Sequence, residues 1–230
     1  QDYHQQSSLQ ETLAREKLAH LVLHGDEQVL DIGCGDGKTT AQIAASVPRG
    51  AVLGIDPSHD MVAFASSHYG PPTHPNLRFE VGDARTLTFS SSFDLIVSFY
   101  ALHWVHEQKA ALRCIRAALK PTGRTLFQFV SRGARPSFED ILHETAQSAS
   151  WSRYFQGFAA PHAQFTPETY RELAERAGLR VIQLTVEDRV WDFGTRDDFL
   201  GFIRATFIAW VDRVPEDERV PFIYQAIDRY

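Results

Sequence analysis

A chain of 230 residues, 43% of them hydrophobic, is long enough for one domain with a real core, or for one domain with a small cap. Its 29 acidic residues outnumber its 23 basic ones, giving a net charge of −6, which argues against a nucleic-acid partner because nucleic acid selects basic faces. Its two cysteines, Cys34 and Cys114, form neither a metal spacing nor a disulfide framework, no apolar run nears the ~18 residues of a membrane span, and no signal peptide is visible, so a cytoplasmic protein in a reducing compartment is expected.

Residues 8–23, SLQETLAREKLAHLVL, read as an amphipathic helix, with Leu9, Leu13, Leu18, Leu21 and Val22 at helical spacing. Ser7 or Ser8 caps it, Glu11 completes a capping box with Ser8, and Gln10 lies in its first turn. Residues 28–40, QVLDIGCGDGKTT, follow as a buried strand (Val29, Leu30, Ile32), a glycine-rich turn and a helix to about Val47. Gly33, Gly35 and Gly37 stand at alternate positions, where a missing Cβ permits positive φ and close approach of a ligand. The dinucleotide fingerprint wants glycine or alanine where Lys38 stands, and the phosphate-loop signature wants glycine where Ile32 stands. Asp31, two residues before the first glycine, repels a pyrophosphate and welcomes a ligand that carries an ammonium.

AVLGIDPS (51–58) is the second strand, ending in Asp56, which is placed to accept hydrogen bonds from both hydroxyls of a ribose. A helix over 59–68 carries Met61 on its first turn. NLRFEVGDA (76–84) is the third strand, with Asp83 at its tip and Ala84 after it. FDLIVSFYALHWV (93–105) is the fourth strand and its loop, with Ser98 and Phe99 at the tip. A helix over 106–119 is stopped by Pro121 and Gly123, and TLFQFV (125–130) is the fifth strand. The order β-α-β-α-β-β-α-β implies a doubly wound parallel sheet with ligands at the carboxyl ends of its strands.

Residues 136–160 are helical and aromatic-rich, as in a lid. The helix at 166–179 is capped by Thr166, takes Pro167 at its first position and ends at Gly178. LRVIQLTVED and RVWDF read as two strands meeting near Asp188–Arg189 as a β-hairpin, and the tail, 196–229, as two helices joined near Pro215. Phe199, Phe202, Ile203, Phe207 and Trp210 form an aromatic stripe suited to packing on the lid. The organisation expected is 1–24 as part of an active-site cover, 25–132 as the ligand-binding core, 133–165 as the lid, 166–195 as the rest of the core sheet and 196–230 as helices packed on the lid.

The pattern D-x-G-x-G-x-G at 31–37, Asp56, GDA at 82–84 and LKPTG at 119–123 resemble the class I S-adenosylmethionine (SAM)-dependent methyltransferases over about residues 25–130. YHQQSSLQ (3–10) together with ALHWV (101–105) resembles the trans-aconitate and juvenile hormone acid methyltransferase group, which methylates carboxylates. The resemblance implies an α/β fold with a doubly wound, seven-stranded, mostly parallel Rossmann-like sheet, a helical lid, and SAM as cofactor. It implies a cofactor site of Tyr3, Asp31, Gly33, Gly35, Asp56, Met61, Asp83, Ala84 and Ser98. Asp83 would bond the adenine amino group, the backbone of Ala84 would support the ring, and Ser98 would lie beside the sulfonium. It implies that Gln10 and Trp104 hold the acceptor carboxylate, with His103 and His106 flanking the site.

A carboxylate is ionised at pH 7 and needs no general base, while a Gln amide and a Trp indole N–H can each donate one hydrogen bond to it. His103 or His106 could instead serve as base for a phenol, an amine or a carbon acid, or make a structural hydrogen bond. The expectation is a monomeric methyltransferase without a metal, acting on a small molecule with an apolar body and giving a methyl ester. The alternatives are an N-, C- or phenolic O-methyltransferase of a secondary metabolite and a non-catalytic SAM-binding protein. An NAD oxidoreductase is opposed by Lys38 and Asp31.

Overall fold

The computed structural model describes residues 13–19, 21–71 and 73–230, and the expectations for Tyr3, Ser7, Ser8, Leu9, Gln10 and Glu11 lie outside them. The described chain divides into two compact units, residues 13–130 with 168–184, and residues 131–167 with 185–230.

The first unit is built on β1 (Gln28–Ile32), β2 (Ala51–Asp56), β3 (Leu77–Val81), β4 (Phe93–Phe99) and β5 (Leu119–Gln128). Every neighbouring pair is parallel, in the order β3-β2-β1-β4-β5. Alternate residues of each strand face opposite sides of the sheet. Val29, Leu95 and Val97 pack with Ala41, Ile43 and Ala44 of α2 (Lys38–Ser46). Leu30, Ile32 and Ile96 pack instead with Ala111 and Ile115 of α4 (Gln108–Ala118). Both sheet faces are covered, which is why the strands read as unbroken apolar runs. Between β2 and β3 lies α3 (His59–Tyr69), capped by the Ser58 hydroxyl, which accepts from the Met61 N–H at 3.3 Å.

Pro121 and Gly123 do not follow a helix end as a loop. α4 stops at Ala118, β5 begins at Leu119, and a bulge takes up the KPTG residues between the pairs Phe93–Leu119 and Leu95–Arg124. A Cβ on Gly123 would stand 2.8 Å from the Phe93 carbonyl oxygen, so the bulge requires glycine there. α6 (Pro167–Arg176) ends at Gly178, at φ +86°.

Three further expectations are corrected. The sheet among the described residues has five strands, not seven, because residues 179–193 form no ladder. The alternating apolar residues there are not buried: Ile182, Val186 and Val190 all lie exposed, so the burial that sustains a strand is missing. The first helix (α1, residues 13–18) stops short of residue 23. The Val22 carbonyl accepts from Arg124 instead of closing a helical turn, while Ala14 and Leu18 carry the buried face. The tail forms three helices rather than two, α7 (Arg196–Thr206), α8 (Ile208–Val211) and α9 (Glu216–Arg229), with Pro215 just before the last.

The second unit joins these three to α5 (Phe138–Ala146) and a 3₁₀ turn at Ser152–Tyr154. Its core is aromatic: Phe138 and Trp151 meet Ile203, Trp210, Phe222 and Ile223. Ser137 and Asp140 cap α5 reciprocally, and the Trp151 indole donates to Gln225 Oε1 at 2.7 Å. No described helix is long and apolar enough to cross a membrane.

Candidate active site

The glycine turn after β1 is held by the neighbouring strand. The N–H groups of Gly33 and Cys34 both donate to the Ile55 carbonyl, at 2.8 and 3.0 Å. Gly33, Gly35 and Gly37 all have positive φ, +74°, +52° and +82°. Space divides their roles. A Cβ on Gly33 would stand 2.1 Å from the Ala101 Cβ, and one on Gly37 2.7 Å from both the Ala65 Cβ and the Phe79 ring. A Cβ on Gly35 would meet nothing within 4 Å. Two of the glycines therefore serve close packing, and the middle one borders open space at the carboxyl edge of the sheet.

Asp56 ties this turn to the start of α3. Its Oδ2 accepts from the Gly35 N–H at 3.0 Å and its Oδ1 from the Ser58 N–H at 2.9 Å. An ionised carboxylate offers about four acceptor sites, so about two remain for further donors. The Ser58 cap also sets half-buried Met61 on the first turn of α3.

Asp31 lies on the α2 side of β1, 2% exposed, with Oδ2 accepting from the Thr40 hydroxyl at 2.7 Å. Burial pushes its carboxyl up to about 7, and the Asp56 charge adds to the rise against the Thr40 bond, which opposes it. A buried carboxylate lifted in this way gains most from a cation set beside it.

Asp83 follows β3, whose end is tied to β2 by the Gly82 N–H donating to the Asp56 carbonyl at 3.1 Å. Its carboxylate is held by Arg85, through the backbone N–H at 2.8 Å and the guanidinium at 2.6 Å, and Arg85 also pairs with Glu107 at 2.9 Å. The Arg85 bond holds the Asp83 carboxyl below the usual carboxylate range. Ile55, Gly82, Asp83, Leu87 and Phe89 border a cleft of about 210 Å³, and Ala84, next to Asp83 in the chain, is buried.

Directly after β4 the backbone is strained. Tyr100 has φ +55°, a left-handed conformation that costs a side-chain-bearing residue about 1–2 kcal/mol. Its N–H donates to the Gln128 carbonyl at 2.7 Å. The chain then passes Ala101, which fills the space over Gly33, into a 3₁₀ turn at Leu102–Trp104. His103 is buried, Trp104 is 50% exposed, and their rings lie 5.9 Å apart. The Gln108 side-chain amide donates to the Leu102 and Val105 carbonyls and so clamps the turn.

Direct contacts thus link Gly35 to Asp56, and Gly33 to the turn that carries His103 and Trp104. Ser98 is buried, and its hydroxyl donates to the Ile32 carbonyl at 2.8 Å, tying β4 to the end of β1. Asp83 stands apart at the tip of β3. His106 is exposed. Tyr3 and Gln10 lie outside the described residues. Among the described residues no group of three or more His, Cys, Asp or Glu side chains could hold a metal ion.

Sequence reasoning missed Thr40, Arg85, Ala101 and Gln128. Two of them left a signal: Thr40 is a polar residue on the apolar stripe of Ile43, Ala44 and Val47, and Gln128 interrupts the apolar run of TLFQFV. Ala101 left none, because its role is a contact with Gly33 across the sheet.

The residues present fit a cofactor with an ammonium and a ribose: a buried carboxylate of raised affinity for a cation, a carboxylate with acceptor capacity to spare, and a glycine bordering open space. Known proteins agree. The family described as "Methyltransferase domain" matches residues 29–123. The chain is 33% identical over 192 residues to a Deinococcus radiodurans protein named trans-aconitate 2-methyltransferase, covering 82% of this chain and 71% of that one. It is 30% identical over 164 residues to the Bombyx mori juvenile hormone acid O-methyltransferase, covering 69% of this chain and 58% of that one. Among solved structures, the Bacillus subtilis YcgJ protein shares the fold with a TM-score of 0.62, at 23% identity, over 95% of this chain and 83% of that one. With this glycine turn, these two carboxylates and these relatives, the chain belongs to the class I SAM-dependent methyltransferases, among relatives of the trans-aconitate and juvenile hormone acid enzymes.

Proposed function

We propose that the chain transfers the methyl group of SAM to a carboxylate of a small molecule with an apolar body, giving a methyl ester. The observation that carries this reading is the 3₁₀ turn at the tip of β4. It sets a half-exposed indole at the carboxyl edge of the sheet, one packed contact away from the glycine turn. The names of the two relatives at 33% and 30% identity support the same acceptor class.

SAM supplies a methyl group on a sulfonium, activated for in-line displacement. The chain's part is to bind and align. Asp31 takes the ammonium, Gly35 leaves room for the cofactor against the backbone, Asp56 takes the ribose hydroxyls, and Asp83 with Ala84 takes the adenine. On the acceptor side, the Trp104 indole N–H and the Gln10 amide each donate one hydrogen bond to the carboxylate. Both donors are neutral, so they orient the acid without quenching its charge as an arginine would. A carboxylate is already ionised at pH 7 and gives up no proton, and alignment alone can supply most of the acceleration of such a step. His103, 9% exposed, is poorly sited to pass a proton to water, which favours an acceptor that needs no base.

The test is methyl transfer from labelled SAM to a panel of dicarboxylic, fatty, terpenoid and aromatic acids, with phenols and amines alongside. A volatile, base-labile product identifies the ester. Base-stable label on a phenol or amine refutes the carboxylate assignment and turns attention to His103 and His106.

A further inference from the structure

Three N–H groups of one residue, Arg85, grip the Asp83 carboxylate. Oδ1 accepts from the Arg85 backbone N–H at 2.8 Å and from its Nε at 2.9 Å. Oδ2 accepts from Nη2 at 2.6 Å and shares the Nε–H at 3.0 Å. The guanidinium edge thus lies against both oxygens as a fork. An ionised carboxylate offers about four acceptor sites, so about one is left, on Oδ2. The Asp83 side chain is 29% exposed, so a ligand can reach that site.

Arg85 is itself held from behind. Its Nη1 donates to Glu107 Oε2 at 2.9 Å, and its backbone carbonyl accepts from the Cys114 thiol at 3.2 Å. Glu107 stands directly before α4 and Cys114 within it, two helical turns further on, so both lie along one side of that helix. The Thr86 N–H closes the turn by donating to the Asp83 carbonyl at 3.0 Å. Exposed ion pairs stabilise a fold little, and these groups are partly exposed. What the network supplies is direction: a two-point fork, anchored on α4, leaves the carboxylate one orientation.

We propose that Arg85 is a positioning residue of the cofactor site, aiming the one free acceptor site of Asp83 at the exocyclic amino group of the cofactor's adenine. The proposal rests on the reading of Asp83 as the adenine carboxylate. Without the fork, the carboxylate turns about the broad terminal torsion of the aspartate side chain, and water solvates both oxygens. The amino group then exchanges one hydrogen bond for another and gains little.

The test compares two ligands by calorimetry on the full chain, S-adenosylhomocysteine and its analogue lacking only the 6-amino group. The ratio of their Kd values isolates the amino group, whereas general damage to the site weakens both ligands alike. The wild type should favour the amino-bearing ligand about tenfold or more. Asp83→Ala should bring the ratio close to one. Arg85→Met should bring it to about threefold or less while the melting temperature holds. Arg85→Lys keeps the charge but cannot form the fork, so it should stay near Arg85→Met. If Asp83→Ala collapses the ratio and Arg85→Met keeps or raises it, the proposal is overturned and the adenine reading stands. Full recovery in Arg85→Lys overturns it too, because charge rather than the fork then acts. A wild-type ratio near one, or one that survives Asp83→Ala, refutes the adenine reading itself and takes the proposal with it.

Discussion

The tips of β1 and β2 and the tips of β4 and β5 lie on the same edge of one sheet, yet they are built in opposite ways. At β1 and β2 the polar groups hold one another: Asp56 takes Gly35 and Ser58, Asp31 takes Thr40, and Ile55 takes two consecutive N–H groups. At β4 and β5 the chain tolerates a residue at φ +55°, a half-exposed indole and a buried carbonyl without a donor. The difference follows from what each half must do. On the proposed reading, the β1–β2 half meets the cofactor and gains from being rigid before it arrives. The β4–β5 half, proposed to meet the acceptor, carries strain and unmet polarity that the rest of the fold sustains, a pattern that gathers at sites completed by a ligand.

The largest effect should come from breaking the contact that joins the two halves. Gly33→Ala adds a Cβ 2.1 Å from the Ala101 Cβ and gives a side-chain-bearing residue φ +74°. The left-handed backbone alone costs about 1–2 kcal/mol, and overpacking a tight contact about 1–3 more. Thermal denaturation should show a loss of several degrees, and calorimetry should find cofactor binding lost. Adding Ala101→Gly should recover the packing part and leave the backbone part. Recovery of nothing in that double mutant would show that Ala101 is not what crowds Gly33.

Two smaller changes should then separate the halves. Asp56→Ala removes the acceptor for Gly35 and Ser58 and the one proposed for ribose, so cofactor Kd should rise about 10- to 100-fold, in line with charge-assisted bonds of about 1.5–3 kcal/mol. Trp104→Ala should lower acceptor kcat/KM by about the same factor while cofactor Kd stays within about twofold. If Trp104→Ala moves the cofactor Kd and leaves acceptor turnover alone, the indole belongs to the cofactor half and the carboxylate assignment is wrong.

The same contrast governs how much could be read from the sequence. The glycine turn is local: strand, turn and helix run consecutively, so the turn after β1 and the positive φ of Gly33, Gly35 and Gly37 were legible from spacing and residue type. The five parallel strands followed from apolar runs that burial on both faces makes continuous. The β4–β5 tips depend on contacts across the sheet, Gly33 with Ala101 and Tyr100 with Gln128, which no spacing encodes. Residues 179–193 misled for a related reason. Their alternation is that of a strand, but a strand exists only with a partner, and Ile182 and Val190 are left exposed.

The finest test concerns the proton on Asp31. Its carboxyl is raised from the ordinary 3.8 to about 7, chiefly by burial. The folded, cofactor-free protein therefore prefers the neutral acid, and this group's contribution to stability is complete below pH 3.8 and is lost as pH rises through 7. An ammonium bound beside it reverses the preference. Cofactor binding should then release close to one proton at pH 6 and far fewer at pH 7.5, and affinity should rise several-fold between them. Calorimetry in two buffers of different ionisation enthalpy counts those protons; near pH 7.5 the cofactor's own α-amino group, which titrates near 8, takes up a fraction of a proton that is subtracted. Thr40→Val removes the one hydrogen bond that favours the ionised form. It should move the whole transition to higher pH, weakening binding several-fold at pH 7. Asp31→Asn should abolish the proton release outright. A wild type that binds SAM with no proton exchange at pH 6 would mean that the ammonium lies elsewhere, and with it the cofactor's methionine end.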